Sequence, residues 1–148
     1  MDSINRRQFV TGTAAAAVLM SSSSLQAATH DHSQMHGGHN QNNALIDDAL
    51  ACIKTGEICM AHCVSSLKSG ETELAKCLET AQAAVQACQL LVSFAANNSS
   101  HLPALAKLCV DVCGDCAKEC KKHAKKHKTC KDCFDACEAC VESCKKVA

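Results

Sequence analysis

Residues 130–144 read CKDCFDACEACVESC, with Cys130, Cys133, Cys137, Cys140 and Cys144 in steps of 3, 4, 3 and 4. An α-helix turns once in about 3.6 residues, so this beat puts five thiols on one helical face. The same beat runs through the rest of the chain. Over 44–68 the stripe is Leu45, Ala49, Cys52, Gly56, Cys59 and Cys63, closed by Ser69-Gly70. Over 72–96 it is Leu74, Cys77, Ala81, Ala84, Cys88, Leu91 and Ala95, broken by Asn97-Asn98-Ser99-Ser100. A third helix is expected with Ser100 as N-cap and Pro103 in its first turn, the position a proline tolerates. It carries Leu102, Ala106, Cys109, Cys113, Cys116, Cys120, His123 and His127. The beat then slips within KKHAKKHKT, which predicts a turn near 124–129. A fourth helix follows with the Cys130–Cys144 ladder and Val147. Four helices with short connections predict an all-α fold, an antiparallel up-down-up-down bundle over 44–148 with a Cys-lined core.

Cysteine thus stands where leucine and isoleucine normally fill a core. The chain has 14 Cys, 3 Phe and no Tyr or Trp. Thiols are much smaller than leucine, and Gly56, Ala81 and Ala84 share their stripes, so the axis is expected to be underfilled unless something occupies it. Disulfides within one helix are disfavoured. Side chains three and four apart hold their Cβ atoms about 5–6 Å from each other, against about 3.8 Å in a disulfide. Bridges across helices stay open, although disulfide scaffolds are usually loop-rich. An iron–sulfur cluster would need loops that wrap it, and the spacing matches a ferredoxin run only loosely. The pairs Cys113/Cys116, Cys130/Cys133 and Cys137/Cys140 sit in no βαβ context of the thioredoxin kind.

Soft thiolates select Cu(I), zinc or iron–sulfur clusters. Four thiolates around each zinc leave two negative charges, and several such sites inside one closed bundle are disfavoured by burial. Cu(I) is satisfied by two or three sulfurs, and bridging thiolates approach one Cu(I) per sulfur, which is neutral. The candidate ligands are therefore all 14: Cys52, Cys59, Cys63, Cys77, Cys88, Cys109, Cys113, Cys116, Cys120, Cys130, Cys133, Cys137, Cys140 and Cys144. Met60, His62, His123 and His127 fall at the bundle end where Cys63 and Cys130 lie. Two readings stand for them: a mouth where metal enters, or solvated residues of a basic turn with Met60 as packing.

The N-terminus, MDSINRRQFVTGTAAAAVLMSSSSLQAATH, resembles a twin-arginine export signal over 1–27, with Arg6-Arg7, Phe9, a weakly apolar stretch and a small-residue cleavage region at Ala27 and Ala28. Asn5 and Val10 depart mildly from that pattern. The apolar run is too short to span a membrane. Export by this route places the protein in the periplasm or elsewhere outside the cytoplasmic membrane. Residues 28–43, with His30, His32, Met35, His36 and His39 among polar residues, read as a flexible linker. Cleavage after Ala27 would leave Ala28-Thr29-His30, whose free amine and third-position histidine can hold Cu(II); a His-rich solubilising linker is the other reading.

An exported chain with Cys52-x6-Cys59-x3-Cys63, the widely spaced Cys77 and Cys88, Cys109-x3-Cys113-x2-Cys116-x3-Cys120 and the Cys130–Cys144 ladder resembles the bacterial copper storage proteins, in their exported branch. The resemblance covers about 44–148 plus the signal. It implies a four-helix bundle binding many Cu(I) ions on core thiols, a homo-tetramer, and copper held for a client copper-dependent enzyme. The chain's 15 Lys and Arg balance its 15 Asp and Glu, so no global charge points to nucleic acid. No nucleophile–base pair or carboxylate dyad points to an enzyme, and Asp47-Asp48, Asp111, Asp115 and Glu119 read as solvated faces. The alternatives are metallothionein-like sequestration of zinc or another soft metal, and a thiol redox reservoir.

Overall fold

The computed structural model describes residues 40–148. The 1–27 signal, most of the 28–43 linker and the Ala28-Thr29-His30 terminus lie outside the described residues. Four helices follow one another: α1 (Asn43–Lys68), α2 (Ala75–Ala96, entered through a 3-10 turn at Thr72–Leu74), α3 (Leu102–His123) and α4 (Lys128–Lys145). Among the described residues there is no strand. Helix α1 packs on α2, α2 on α3, α3 on α4 and α4 back on α1, the cyclic order of an up-down-up-down bundle.

The helix ends have local causes. Ser69 caps α1 and Gly70 follows at φ 91°, a left-handed conformation that glycine adopts without a Cβ penalty. The Gly70 N–H then reaches Leu67 O at 3.0 Å and the Glu71 N–H reaches Ser66 O at 3.0 Å, the paired bonds of a Schellman ending. Asn98 does the same for α2 at φ 48°, with Ser99 N–H on Phe94 O at 3.0 Å. The third helix starts differently from the sequence expectation. His101, not Ser100, occupies the N-cap position, and Ser99 Oγ accepts the His101 N–H at 3.2 Å. Helix α4 starts two residues earlier than the slip in the beat suggests, at Lys128, because the turn needs only Ala124–His127.

The end of the segment read as a linker belongs to the bundle. Asn42 is buried, and its Nδ2 donates to Ala95 O at 3.2 Å and to Asn98 Oδ1 at 3.1 Å, tying the start of α1 to the end of α2. Leu45, Leu91, Leu102 and Leu105 are buried at that same end, and Ser143 Oγ donates to Asp48 across α4 and α1. This end is closed by apolar side chains and a polar latch. The opposite end, formed by the end of α1, the start of α2, the end of α3 and the start of α4, has no leucine in its inward positions apart from Leu74.

The buried face of α1 is Leu45, Ala49, Cys52, Gly56, Cys59 and Cys63, the stripe read from the sequence. Gly56 has a different reason from the one its stripe suggested. A Cβ there would stand 2.5 Å from Val85 Cγ2, so the missing side chain admits α2, not a metal. Gly56→Ala is therefore expected to lower the stability of the metal-free bundle by about 1–3 kcal/mol, from overpacking partly offset by alanine's better helix propensity. Chemical denaturation of the reduced protein measures it, and an unchanged midpoint would contradict this packing.

Candidate metal centre

All 14 cysteines are buried, at 0–1 % exposure, and all are free thiols. The stripe explains why: the thiols of each helix fall on one face, and that face turns inward in the bundle. The axis is a column of touching sulfurs, not the void that small side chains suggested. Cys77 Sγ lies 3.5 Å from Cys120 Sγ, Cys88 Sγ 3.5 Å from Cys113 Sγ and 3.7 Å from Cys140 Sγ. Cys52 Sγ lies 3.6 Å from Cys137 Sγ, and Cys59 Sγ lies 3.9 Å from both Cys77 and Cys130. Cys116 Sγ bridges Cys133 at 3.8 Å and Cys120 at 3.9 Å. Most of these contacts cross between helices. Cys109 lies nearer the closed end, its Sγ 3.7 Å from Ala87 O.

Sulfurs within 4.8 Å of one another fall into threes: Cys52, Cys88 and Cys113; Cys59, Cys63 and Cys77; Cys59, Cys120 and Cys133; Cys116, Cys133 and Cys137. With a metal–sulfur bond of about 2.3 Å, a planar three-sulfur site needs edges of about 4.0 Å, close to these contacts. No four sulfurs among the described residues meet the same condition, as a tetrahedral thiolate zinc site would require. Two of the threes meet at Cys59 and two at Cys133, so three triangles share corners along the axis. The Cys52–Cys137 contact joins this chain to the fourth triangle.

The protonation of these thiols is set by burial and by one another. Burial pushes Cys63 up to about 12. For Cys130 the bond to Cys59 pulls downward, but Cys77 and burial outweigh it and leave it at about 12. Cys52, bonded by Cys113 and Cys137, is held down at about 5, a thiolate solvated by neighbouring S–H groups. Cys113, faced by Cys140, Cys52 and Cys88, is held up.

At the opposite end of the bundle His62 Nε2 and His127 Nδ1 are 2.8 Å apart, with ring centroids at 4.8 Å, and the His123 ring lies 6.5 Å from that of His127. His127 is buried and desolvation lowers its pKa, so the ring is neutral near pH 7. Met60 lies elsewhere: it lines a surface groove between α1 and α2 with Glu57, Gln82, Val85, Gln86 and Gln89. One residue at this end carries no sequence signal. Glu71, in the α1–α2 connection, places Oε2 3.7 Å from His127 Nε2 and takes Lys126 on Oε1 at 2.9 Å. A lone glutamate after a glycine stop has no periodicity to mark it.

No helix among the described residues is long and apolar enough to cross a membrane. Residues 38–148 match the family model described as copper storage protein. Among solved structures, the Cu(I)-bound copper storage protein BsCsp3 is 29% identical, with a TM-score of 0.67 over 72% of this chain and 97% of that one. Apo copper storage protein 3 from Bacillus subtilis is 28% identical, with a TM-score of 0.64 over 72% and 98%. The copper storage protein Ccsp from Streptomyces lividans, loaded with 10 copper equivalents, is 25% identical, with a TM-score of 0.65 over 74% and 87%. The search of curated proteins found no match.

Proposed function

Since the chain belongs to the copper storage protein family, we infer that it binds and stores several Cu(I) ions on the thiolates of its core. The observation that carries this reading is the column of corner-sharing three-sulfur groups with no four-sulfur group beside them. Soft thiolates in twos and threes suit Cu(I), and bridging keeps the buried charge near zero. The same observation disfavours zinc sequestration. The role is storage rather than catalysis. Anaerobic titration of the reduced protein with Cu(I) against a chelator of known affinity tests it. The expected plateau approaches one copper per cysteine, and a low plateau matched by equal zinc uptake would overturn it.

Copper enters, on this reading, at the end where Cys63 and Cys130 lie. His62 and His123 flank the first thiols there, Cys63, Cys77 and Cys130. A neutral imidazole is a competent transient ligand between a carrier and the first thiolate. Replacing His62 and His123 together with alanine is expected to slow Cu(I) loading about tenfold or more, roughly the loss of one weak ligand interaction of 1.4 kcal/mol. The number of coppers bound should stay the same. Unchanged loading rates in stopped-flow transfer from a chelator would refute the mouth. Met60, on the α1–α2 flank, takes no part in it.

Export by the twin-arginine route follows from Arg6-Arg7 and the small-residue run up to Ala27. Such a substrate folds before export, so its thiols are packed while the compartment keeps them reduced. Assembly as a homo-tetramer and delivery to a client copper enzyme extend the family resemblance to this chain. Mass spectrometry of the mature N-terminus and sedimentation of the loaded protein test these points.

A further inference from the structure

We propose that Glu71 is a positioning residue of the mouth, holding His127 as the Nε2–H tautomer so that His62 Nδ1 is the nitrogen left free for copper. The proposal rests on the mouth reading above and deepens it. His62 Nε2 and His127 Nδ1 are 2.8 Å apart, so one must carry the shared proton and the other must accept it. Glu71 decides which. Its Oε2 and His127 Nε2 face each other at 3.7 Å, both buried and both without a hydrogen-bond partner among the described residues.

If His127 carried its proton on Nδ1, the Nε2 lone pair would face a carboxylate oxygen, two acceptors opposed in a buried site. With the proton on Nε2, that N–H points at the carboxylate and a small shift closes the bond. Nδ1 of His127 then accepts from His62 Nε2–H, and the only lone pair on the His62 ring is at Nδ1. Both nitrogens of His127 are thereby committed to Glu71 and His62. His127 is a bridge between the α1–α2 connection and α1, and the metal-accepting nitrogens at this end belong to His62 and His123. Lys126 holds the other oxygen of Glu71 at 2.9 Å, which fixes the carboxylate from the α3–α4 turn.

Long-range proton–nitrogen NMR of the 15N-labelled, reduced, metal-free protein reads the tautomers directly. The expected result is Nε2–H on both His127 and His62 in the wild type. Glu71→Ala and the near-isosteric Glu71→Gln should turn the His127 signature into a mixture and slow Cu(I) loading several-fold, with total copper bound unchanged. Lys126→Gln, which breaks the ion pair but keeps the carboxylate, should leave the His127 tautomer in place. An Nδ1–H tautomer on wild-type His127, or an unaltered tautomer in both Glu71 variants, would overturn the proposal. The mouth itself fails on a different result, an unchanged loading rate in the His62 and His123 double variant, so the two failures are separable.

Discussion

Serine at both Cys59 and Cys133 is expected to remove far more copper than serine at Cys109 and Cys144, although each pair deletes two thiols. Cys59 and Cys133 are the corners shared by three of the four sulfur triangles. Without them all three of those triangles are lost, and Cys63, Cys77, Cys116, Cys120 and Cys137 keep pairwise contacts such as Cys77–Cys120 at 3.5 Å and Cys116–Cys120 at 3.9 Å. Cys109 and Cys144 belong to none of the triangles. A hydroxyl is close to a thiol in shape but is not a soft ligand. The central pair should therefore lower the tight Cu(I) count by at least about three and the peripheral pair by at most about two. Both variants are expected to keep the helical fold, since a buried serine in a helix bonds back to the carbonyl four residues earlier. Anaerobic chelator titration checks the counts and far-UV circular dichroism checks the fold. Equal losses from the two pairs would mean the sulfurs act as independent sites.

The architecture was legible because the chain carries one signal on every helix. The stripe read over 44–68 coincides with the buried face of α1 residue for residue. On α2 and α3 the buried face is wider than the stripe, taking in Val85, Leu105 and Ala117, because a helix packed between two neighbours buries more than a single seam. What stayed hidden has a common cause: it depends on contacts between helices, which periodicity cannot reach. Gly56 looked like missing volume and is a docking point for Val85. The axis looked hollow, yet sulfurs from four helices converge to touching distance. Met60 shares its chain neighbourhood with His62 but faces a groove between α1 and α2. Glu71 sits in a connection, where no repeat marks it, and only the closure of the bundle brings it to His127.

Copper should raise the melting temperature by more than about 20 °C, and this gain should shrink as pH falls. A ligand that binds only the folded state adds about 2.7 kcal/mol per site at a free concentration one hundred times its dissociation constant, and a bundle this size gains about 4–8 °C for each kcal/mol. Several sites filled together exceed 20 °C comfortably. The pH dependence follows from the thiols. Cys63 and Cys130 stand at about 12 against an ordinary value of 9.0, so at neutral pH they are protonated and each must release a proton to bind metal. Affinity then falls about tenfold per pH unit for every proton released, and the copper-dependent gain declines steadily from pH 8 towards pH 5. The metal-free protein responds in the opposite sense. A thiol whose folded value is raised stabilises the fold below its unfolded value near 9.0, and that contribution is lost as pH rises towards 12. Alkali should therefore remove the share of the empty bundle's stability that Cys63 and Cys130 supply, while strengthening the loaded one. Thermal melts of both forms across this range measure the two slopes, and a copper-induced shift that does not change with pH would rule out proton release as the currency of binding. The same competition offers a route for unloading, since any acidification at the mouth favours S–H over S–Cu first at Cys63 and Cys130, the two raised thiols nearest His62 and His127 in sequence.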